Sequence, residues 1–171
     1  MRCAIAVASL RREPDDTAEQ VTQALLGEPL RVEERRVGWA RVVTSYDYPG
    51  WVRLVEIEEG EGSVPLPAGT DPVRLARGYL GAPYEWGGLT AAGIDCSGLV
   101  HMAYRQAGVL VPRDSWQQEE AGTPVASGAE QPGDVVTYGD ENRADHVAFW
   151  LGEGRILHAT ARDDLGVVEE R

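Results

Sequence analysis

A cysteine thiol with a histidine as its base can carry out nucleophilic catalysis, and this 171-residue chain has two cysteines and three histidines. Cys96 is the second residue of the segment DCSGLVHMAYRQAG, in which apolar residues recur at helical spacing. The unpaired N–H groups and positive dipole end of a helix N-terminus lower the pKa of a cysteine, so we expect an activated thiol at Cys96, with Asp95 as the helix cap. Cys3 lies in an apolar, strand-like run and is interpreted as a small buried side chain.

The histidines differ in their position relative to Cys96. His101 lies five residues later, about 140° around the helix at about 100° per residue, so we predict that it points elsewhere and is solvated. His146 and His158 lie on predicted strands downstream. A thiol paired with a histidine, itself held by a third polar group, is the arrangement of activated-thiol catalysis. Spacing alone leaves open that these two histidines are unrelated.

Helix and strand patterns place these residues in one α+β domain. Strands are predicted over residues 134–138, 146–151 and 155–160, and the last two are joined by a hairpin turn at Glu153-Gly154. A two-residue turn there would pair Phe149 with His158 and put His146 and His158 on opposite faces of the sheet. A curled or bulged strand would be needed to bring them together.

The first sixty residues show a different pattern. Short strands over residues 3–10, 29–34, 38–45 and 50–57 predict a small β-barrel, with a helical or looping excursion over residues 15–28. Residues 58–72 are rich in Gly, Pro and acidic residues and lack apolar periodicity, which indicates a connection. We therefore predict a domain over residues 1–60, a linker over 61–70 and a second domain over 71–171.

Charge and cysteine content limit the possible partners. The formal net charge of −12 would repel the phosphates of nucleic acids and anionic lipids, so we expect neither a nucleic acid nor a membrane as partner. The apolar run near Met1 is too short to span a membrane, and a cytoplasmic location is expected if Met1 is the native start. Cysteine spacing predicts no disulfide framework, structural metal or cofactor, and the oligomeric state stays open.

Six ordered blocks give the second domain a resemblance to the NlpC-type papain-like cell-wall cysteine peptidases. They are PYEWGG (83–88), GIDCSGLV (93–100), PRDSWQQ (112–118), PGDVV (132–136), HVAFWLGEG (146–154) and ILHAT (156–160). The first domain resembles a bacterial SH3-like domain through GEPLRVEERRVGWARV and YDYPGWVRL. The implied fold class is α+β: a small SH3-like β-barrel followed by a papain-like α+β catalytic domain.

The resemblance also implies roles for individual residues. Cys96 would attack a peptide carbonyl, His146 would take the thiol proton, and His158 would orient the His146 ring. Tyr84 would donate to the oxyanion. Asp95, Ser97 and Ser115 would line the acyl-side pocket with polar groups, although they could equally cap helices or loops. Arg113 could bind a substrate carboxylate or could simply be solvated.

The pairing of the two domains resembles the γ-D-glutamyl-L-diamino acid endopeptidases. It implies cleavage of the amide between γ-D-glutamate and the diamino acid in murein peptides with a free N-terminal L-Ala. The substrate ammonium would meet Asp95, Tyr48 and either Glu13 or Glu19, with Glu13 selected as the candidate. The alternatives are a secreted or wall-bound endopeptidase acting on intact murein, and a non-hydrolytic thiol acyltransferase or binding module.

Overall fold

The computed structural model describes residues 1–67, 69, 71–140 and 143–171. The chain divides into two compact units, Met1–Pro65 and Leu66–Arg171. The division falls within the segment predicted as a linker, residues 61–70, of which residues 68 and 70 lie outside the described residues. Among the described residues, none of the helices has the length and apolar character that crossing a bilayer requires.

The N-terminal unit is built from antiparallel strands. They are β1 (Arg2–Cys3), β2 (Val7–Arg11), β3 (Gln20–Leu25), β4 (Arg31–Arg36), β5 (Trp39–Val43), β6 (Pro49–Arg53) and β7 (Ile57–Glu58). Five of them form one sheet in the order β3-β2-β6-β5-β4, and β1 pairs with β7. The predicted strand over residues 3–10 is two strands, β1 and β2, and residues 54–56 form a 3₁₀ turn instead of continuing β6.

Strand β3 corrects the prediction of a helical or looping excursion over residues 15–28. Residues 20–25 pair along β2, with Ala8 opposite Ala24 and Leu10 opposite Thr22. Both alanines are fully buried, so packing in the core determines that this segment is a strand and outweighs its helix propensity. Cys3 is buried in the same core, as predicted, and burial raises its pKa, so this thiol stays protonated.

The C-terminal unit places helices against an antiparallel sheet. Its elements are α1 (Pro72–Ala76), β8 (Leu89–Thr90), β9 (Gly93–Ile94), α2 (Cys96–Gln106), α3 (Ser115–Ala121), β10 (Val135–Gly139), β11 (Ala144–Gly152), β12 (Arg155–Thr160) and β13 (Gly166–Glu170). The main sheet has the order β10-β11-β12-β13, and α2 lies against β11 and β12. The α+β class, helix α2 and the strands β10 to β12 are confirmed, whereas β13 was not predicted.

Helix α2 begins where the sequence predicts. The Asp95 side chain accepts a hydrogen bond from the backbone N–H of Gly98 at 2.6 Å and so caps the helix. A Cβ atom at Gly98 would lie 2.4 Å from the carbonyl oxygen of Gly88, so only glycine fits there. Leu99 and Ala103 are fully buried on the face that Cys96 shares. The cap and the close glycine contact hold the Cys96 thiol at the first turn of a helix packed on the sheet.

Candidate active site

A β-bulge decides which face of β11 carries His146. The predicted turn is present, and both Glu153 and Gly154 have positive φ. The pairing of β11 with β12 then shifts between Trp150 and Gly152, so Phe149 lies opposite Leu157 and not opposite His158 as predicted. This shift of one residue moves the two histidines to the same face, because side chains alternate along a strand.

The two histidine rings are in direct contact. Nε2 of His146 lies 2.7 Å from Nδ1 of His158, with the ring planes at 81°. His158 is 5% exposed, so its ring cannot turn away from His146 to form hydrogen bonds with water. Because this contact uses Nε2 of His146, Nδ1 is the nitrogen left to exchange a proton with a reacting group.

The Cys96 thiol is also buried, at 6% exposure. It lies within hydrogen-bonding range of the backbone N–H of Val147, the residue that follows His146. Burial raises the pKa of Cys96 to about 11, and the charge of Asp95 adds to it; the backbone N–H groups of Val147 and Ser97 oppose the shift but do not cancel it. The pKa of Cys96 is therefore raised and not lowered as predicted, because burial and the Asp95 charge outweigh the backbone N–H groups and Arg113.

The pKa of His146 is shifted in the opposite direction. Burial lowers its pKa below the ordinary value of 6.5, and the neighbouring His158 lowers it further, against the charges of Asp145 and Glu170. With the thiol pKa raised and the imidazole pKa lowered, both groups are neutral near pH 7. A neutral imidazole is the form that can accept a proton from the thiol as the sulfur attacks.

Asp95 forms a buried ion pair with Arg113. The Arg113 guanidinium donates to Oδ1 at 2.9 Å and to Oδ2 at 2.7 Å, and the two side chains are 1% and 7% exposed. Oδ2 also accepts from the backbone N–H of Gly87 at 2.7 Å, and Oδ1 accepts from Gly98 and from the Ser97 hydroxyl. The alternative of a solvated Arg113 is wrong. Five donors occupy the Asp95 carboxylate, which offers about four lone-pair sites, so its contact with a substrate ammonium stays a prediction.

The two serines predicted to bind substrate are held by the same network. Oγ of Ser97 accepts from Arg113 at 2.9 Å. Oγ of Ser115 donates to the carbonyl oxygen of Ala144 at 3.0 Å, which ties the start of α3 to the start of β11. Gln118 on α3 donates to the carbonyl oxygen of Ser97 at 3.0 Å. These bonds hold the beginnings of α2, α3 and β11 together beside the thiol.

Tyr84 lies next to this group of residues. It is half-buried and forms an isolated bridge with Ile94, immediately before the helix cap. Burial raises the pKa of its phenol, and the nearby Cys96 and Asp95 raise it further. A phenol that stays protonated is a hydrogen-bond donor, which is the form needed to stabilise an oxyanion.

His101 is not solvated, contrary to the prediction. It is fully buried, and its Nδ1 lies 2.7 Å from the carbonyl oxygen of Val111. Burial lowers the pKa of His101 to about 4, with a further contribution from the charge of Arg113. The ring is neutral and ties α2 to the segment before α3, so this histidine has a structural contact.

Tyr48 and Glu13 lie in the N-terminal unit. The backbone N–H of Tyr48 donates to Oγ1 of Thr44 at 3.1 Å, and Tyr48 is one of the residues that line a cleft of about 190 Å³. Glu13 is exposed in the turn after β2, whereas the alternative Glu19 pairs with Arg12 at 2.6 Å. Their contact with a substrate stays a prediction.

Sequence reasoning missed Glu170 on β13. Its Oε1 lies 2.9 Å from Nε2 of His158, and its Oε2 accepts from Arg162. The available signal was spacing, because His158 lies twelve positions after His146 and Glu170 lies twelve positions after His158. In the part of the chain that the structure describes, no group of three or more His, Cys, Asp and Glu side chains is arranged to hold a metal ion.

Two family models match the chain. The NlpC/P60 family matches residues 81–170, and the bacterial dipeptidyl-peptidase Sh3 domain matches residues 10–57. The two matches lie in the two units that the structure divides, and they cover every residue of the catalytic candidate set in the C-terminal unit.

Curated relatives and a solved structure agree with these matches. A γ-D-glutamyl-L-lysine dipeptidyl-peptidase of Bacillus cereus is 32% identical over 70% of this chain and 37% of its own length. The peptidoglycan endopeptidase RipB of Mycobacterium tuberculosis is 37% identical over 52% of this chain and 42% of its own length. A crystal structure of an NlpC/P60 family protein from Bacillus cereus has a TM-score of 0.55 at 25% identity, covering 99% of this chain and 56% of that one. The matched part of the chain thus spans less than half the length of these two curated relatives.

Proposed function

This chain belongs to the NlpC/P60 family of cysteine peptidases, and we propose that it hydrolyses the γ-D-glutamyl-diamino acid amide of murein peptides that carry a free N-terminal L-Ala. The observation that carries the proposal is the buried Cys96 thiol beside Val147, with His146 held by His158 on the same face of the sheet. The matching Sh3 domain and the dipeptidyl-peptidase name of the Bacillus cereus relative support the substrate class.

The proposed reaction begins with a proton transfer. Nδ1 of His146 takes the proton of the Cys96 thiol while the sulfur attacks the γ-carbonyl carbon of D-glutamate. The C=O pair moves to the oxygen, which the Cys96 backbone N–H and the Tyr84 hydroxyl stabilise. His146 then returns its proton to the amine of the departing diamino acid as the C–N bond breaks, which leaves a thioester on Cys96.

Water completes the cycle by the same groups. His146 removes a proton from water, the hydroxide attacks the thioester carbonyl, and the C–S bond breaks. The sulfur leaves as thiolate and recovers its proton from His146, which releases a peptide that ends in γ-D-glutamate. We assign this activity to recycling of released wall peptides in the cytoplasm, and the location is tested by fractionation of cells that express the chain with a C-terminal epitope.

Mass spectrometry of products tests the substrate assignment. We expect L-Ala-γ-D-Glu-diamino acid peptides to give L-Ala-γ-D-Glu and the free diamino acid, with N-acetylated peptides cleaved about ten- to a hundredfold more slowly, since acetylation removes a charged partner. Tyr48→Ala and Glu13→Gln should reduce this preference. Cys96→Ala is the matched inactive control. Equal rates on free and acetylated peptides would refute the free-amine specificity.

A second candidate is an endopeptidase that acts on intact murein, which the similarity to the RipB peptidoglycan endopeptidase favours. Release of soluble peptides from purified murein sacculi, with slow turnover of free tripeptides, would support it over recycling. Hydrolysis in ¹⁸O-labelled water separates both from a thiol acyltransferase, because only a hydrolase places one labelled oxygen in the new carboxylate. A binding module without activity would give no product in either assay.

A further inference from the structure

We propose that Glu170, held by Arg162, is a positioning residue that selects the tautomers of His158 and His146 and thereby makes Nδ1 of His146 the proton acceptor. The inference deepens the proposed function, since it concerns how the same histidine pair is prepared. It rests on the contacts of one strand, β13, that no sequence pattern had assigned to the site.

The chemical types of the partners determine where the protons lie. An ionised carboxylate has no hydrogen to donate, so Oε1 of Glu170, 2.9 Å from Nε2 of His158, can only accept. His158 therefore carries its proton on Nε2 and presents a lone pair at Nδ1. That lone pair faces Nε2 of His146 at 2.7 Å, which must then carry the proton. The lone pair of neutral His146 is left on Nδ1.

Glu170 is held in the ionised form. Partial burial raises its pKa, but hydrogen bonds from Arg162 and His158 outweigh burial and leave the pKa of Glu170 below its usual value. The Arg162 guanidinium donates to Oε2, the oxygen that does not contact His158. The carboxylate is thus oriented from one side by Arg162 and offers its other oxygen to His158 over the whole neutral range.

The carboxylate also acts on the charge of the base. During the reaction His146 becomes an imidazolium, and a negative charge two side chains away stabilises it. The titratable and charged groups around His146 are Tyr138 on β10, Asp145 on its own strand β11, His158 on β12 and Glu170 on β13, and Cys96 on α2 contacts the next residue of β11, Val147. Among these, Asp145 and Glu170 raise the pKa of His146. Removal of the Glu170 charge should therefore lower it further.

Two substitutions separate the two effects. Glu170→Gln keeps an oxygen that accepts from Nε2 of His158 but removes the charge, so the tautomers should persist while the pKa of His146 falls. Glu170→Ala removes the acceptor as well, so His158 should populate both tautomers and the His146 lone pair should no longer be confined to Nδ1. Glu169→Gln is the matched control, because Glu169 lies on the same strand and pairs with Arg77 at 2.6 Å instead.

The primary measurement is ¹⁵N NMR of the imidazole rings across pH, which needs no substrate. The chain has three histidines, and the buried His101, on α2, serves as the internal reference. We expect Glu170→Ala to shift the ¹⁵N resonances of His146 and His158 from single tautomers to averaged values, with His101 unchanged. Glu170→Gln should keep the tautomers and move the His146 titration to lower pH. Wild-type tautomers and titration in both variants would overturn the proposal.

A kinetic measurement complements the spectra. With a cleaved peptide, Glu170→Ala should lower kcat about tenfold with little change in KM, because Glu170 acts on the reaction through His158 and His146. A loss of activity with wild-type ¹⁵N shifts would mean that the residue acts only on stability, which overturns the proposal. If no murein peptide is cleaved but the tautomers shift as described, the proposed function fails and the inference about Glu170 stands.

Discussion

We expect loss of the Asp95 charge to lower the unfolding free energy of the C-terminal unit strongly. In Asp95→Asn the side chain keeps one acceptor for Gly98 and Arg113 but replaces Oδ2 with a donor. That donor would face the backbone N–H of Gly87 and the second guanidinium nitrogen, which approach Oδ2 at 2.7 Å each. Arg113 is 1% exposed, so its charge would stay buried without a counter-ion.

The magnitude follows from this burial. Removing one partner of a buried ion pair costs about 3–5 kcal/mol, whereas exposed pairs contribute about 0–1 kcal/mol. An unfolding free energy of about 5–15 kcal/mol is typical of a domain, so Asp95→Asn should remove a large part of it. The double variant Asp95→Asn/Arg113→Met leaves no charge buried, and we expect it to be more stable than Asp95→Asn alone.

Urea denaturation followed by circular dichroism and tryptophan fluorescence measures this effect, fitted with one transition for each unit. At a slope of about 1–3 kcal/mol per molar urea, a loss of about 3–5 kcal/mol should lower the midpoint of the C-terminal unit by about 1–5 M. Glu169→Gln, which breaks the exposed pair with Arg77, is the control and should shift the midpoint by less than about 1 M. A shift in Asp95→Asn no larger than in this control would refute the reasoning.

The same variant tests the role of Asp95 in recognition. Five donors already occupy its carboxylate, so a reduction of kcat/KM in Asp95→Asn that is equal for free and N-acetylated peptides would contradict the predicted contact with the substrate ammonium. A loss confined to the free amine would instead assign the substrate ammonium to Asp95. In that case one of the five donors must leave the carboxylate when substrate binds.

Three further predictions concern the catalytic groups. Cys96→Ala should abolish turnover and Cys3→Ala should not, as peptide cleavage assays would show; activity retained in Cys96→Ala contradicts the assignment. His146→Ala should lower kcat by at least about 10³-fold and His158→Ala by less or equally, since a base matters more than its orienter. Because the pKa of His146 lies below 6.5, activity should fall as the pH drops through that pKa and the base becomes protonated. Because the pKa of Cys96 is about 11, the rate of its alkylation by iodoacetamide should keep rising with pH toward that value and should not level off in acid.

Local patterns predicted the elements that depend on nearby residues. Asp95 as cap, Cys96 at the first turn and the turn at Glu153-Gly154 each depend on residues within one helical turn or one hairpin, and each is confirmed. The bulge between Trp150 and Gly152 was not predicted in place, because it depends on how β11 packs as a whole. One extra residue there reverses the face on which His146 lies.

Burial was the property that residue types and helix angles predicted least well. His101 and Arg113 are polar residues that the sequence leaves open to solvent, yet both are buried with partners distant along the chain. The raised pKa of Cys96 has the same origin, because the packing of α2 on the sheet removes water from the thiol. Such effects arise from contacts between segments, which periodicity within one segment does not contain.

The contacts from His146 through His158 to Glu170 show how three consecutive antiparallel strands can bring hydrogen-bonded side chains together. With Phe149 opposite Leu157, His158 lies opposite Ala148, two residues from His146. On its other side His158 lies opposite Val168, two residues from Glu170. Both partners are therefore diagonal neighbours on one face, about 7–8 Å apart at the backbone, a gap that a ring or a glutamate can bridge. A shift of one residue in either hairpin would move one partner to the other face, so the register of three strands determines whether the base is oriented.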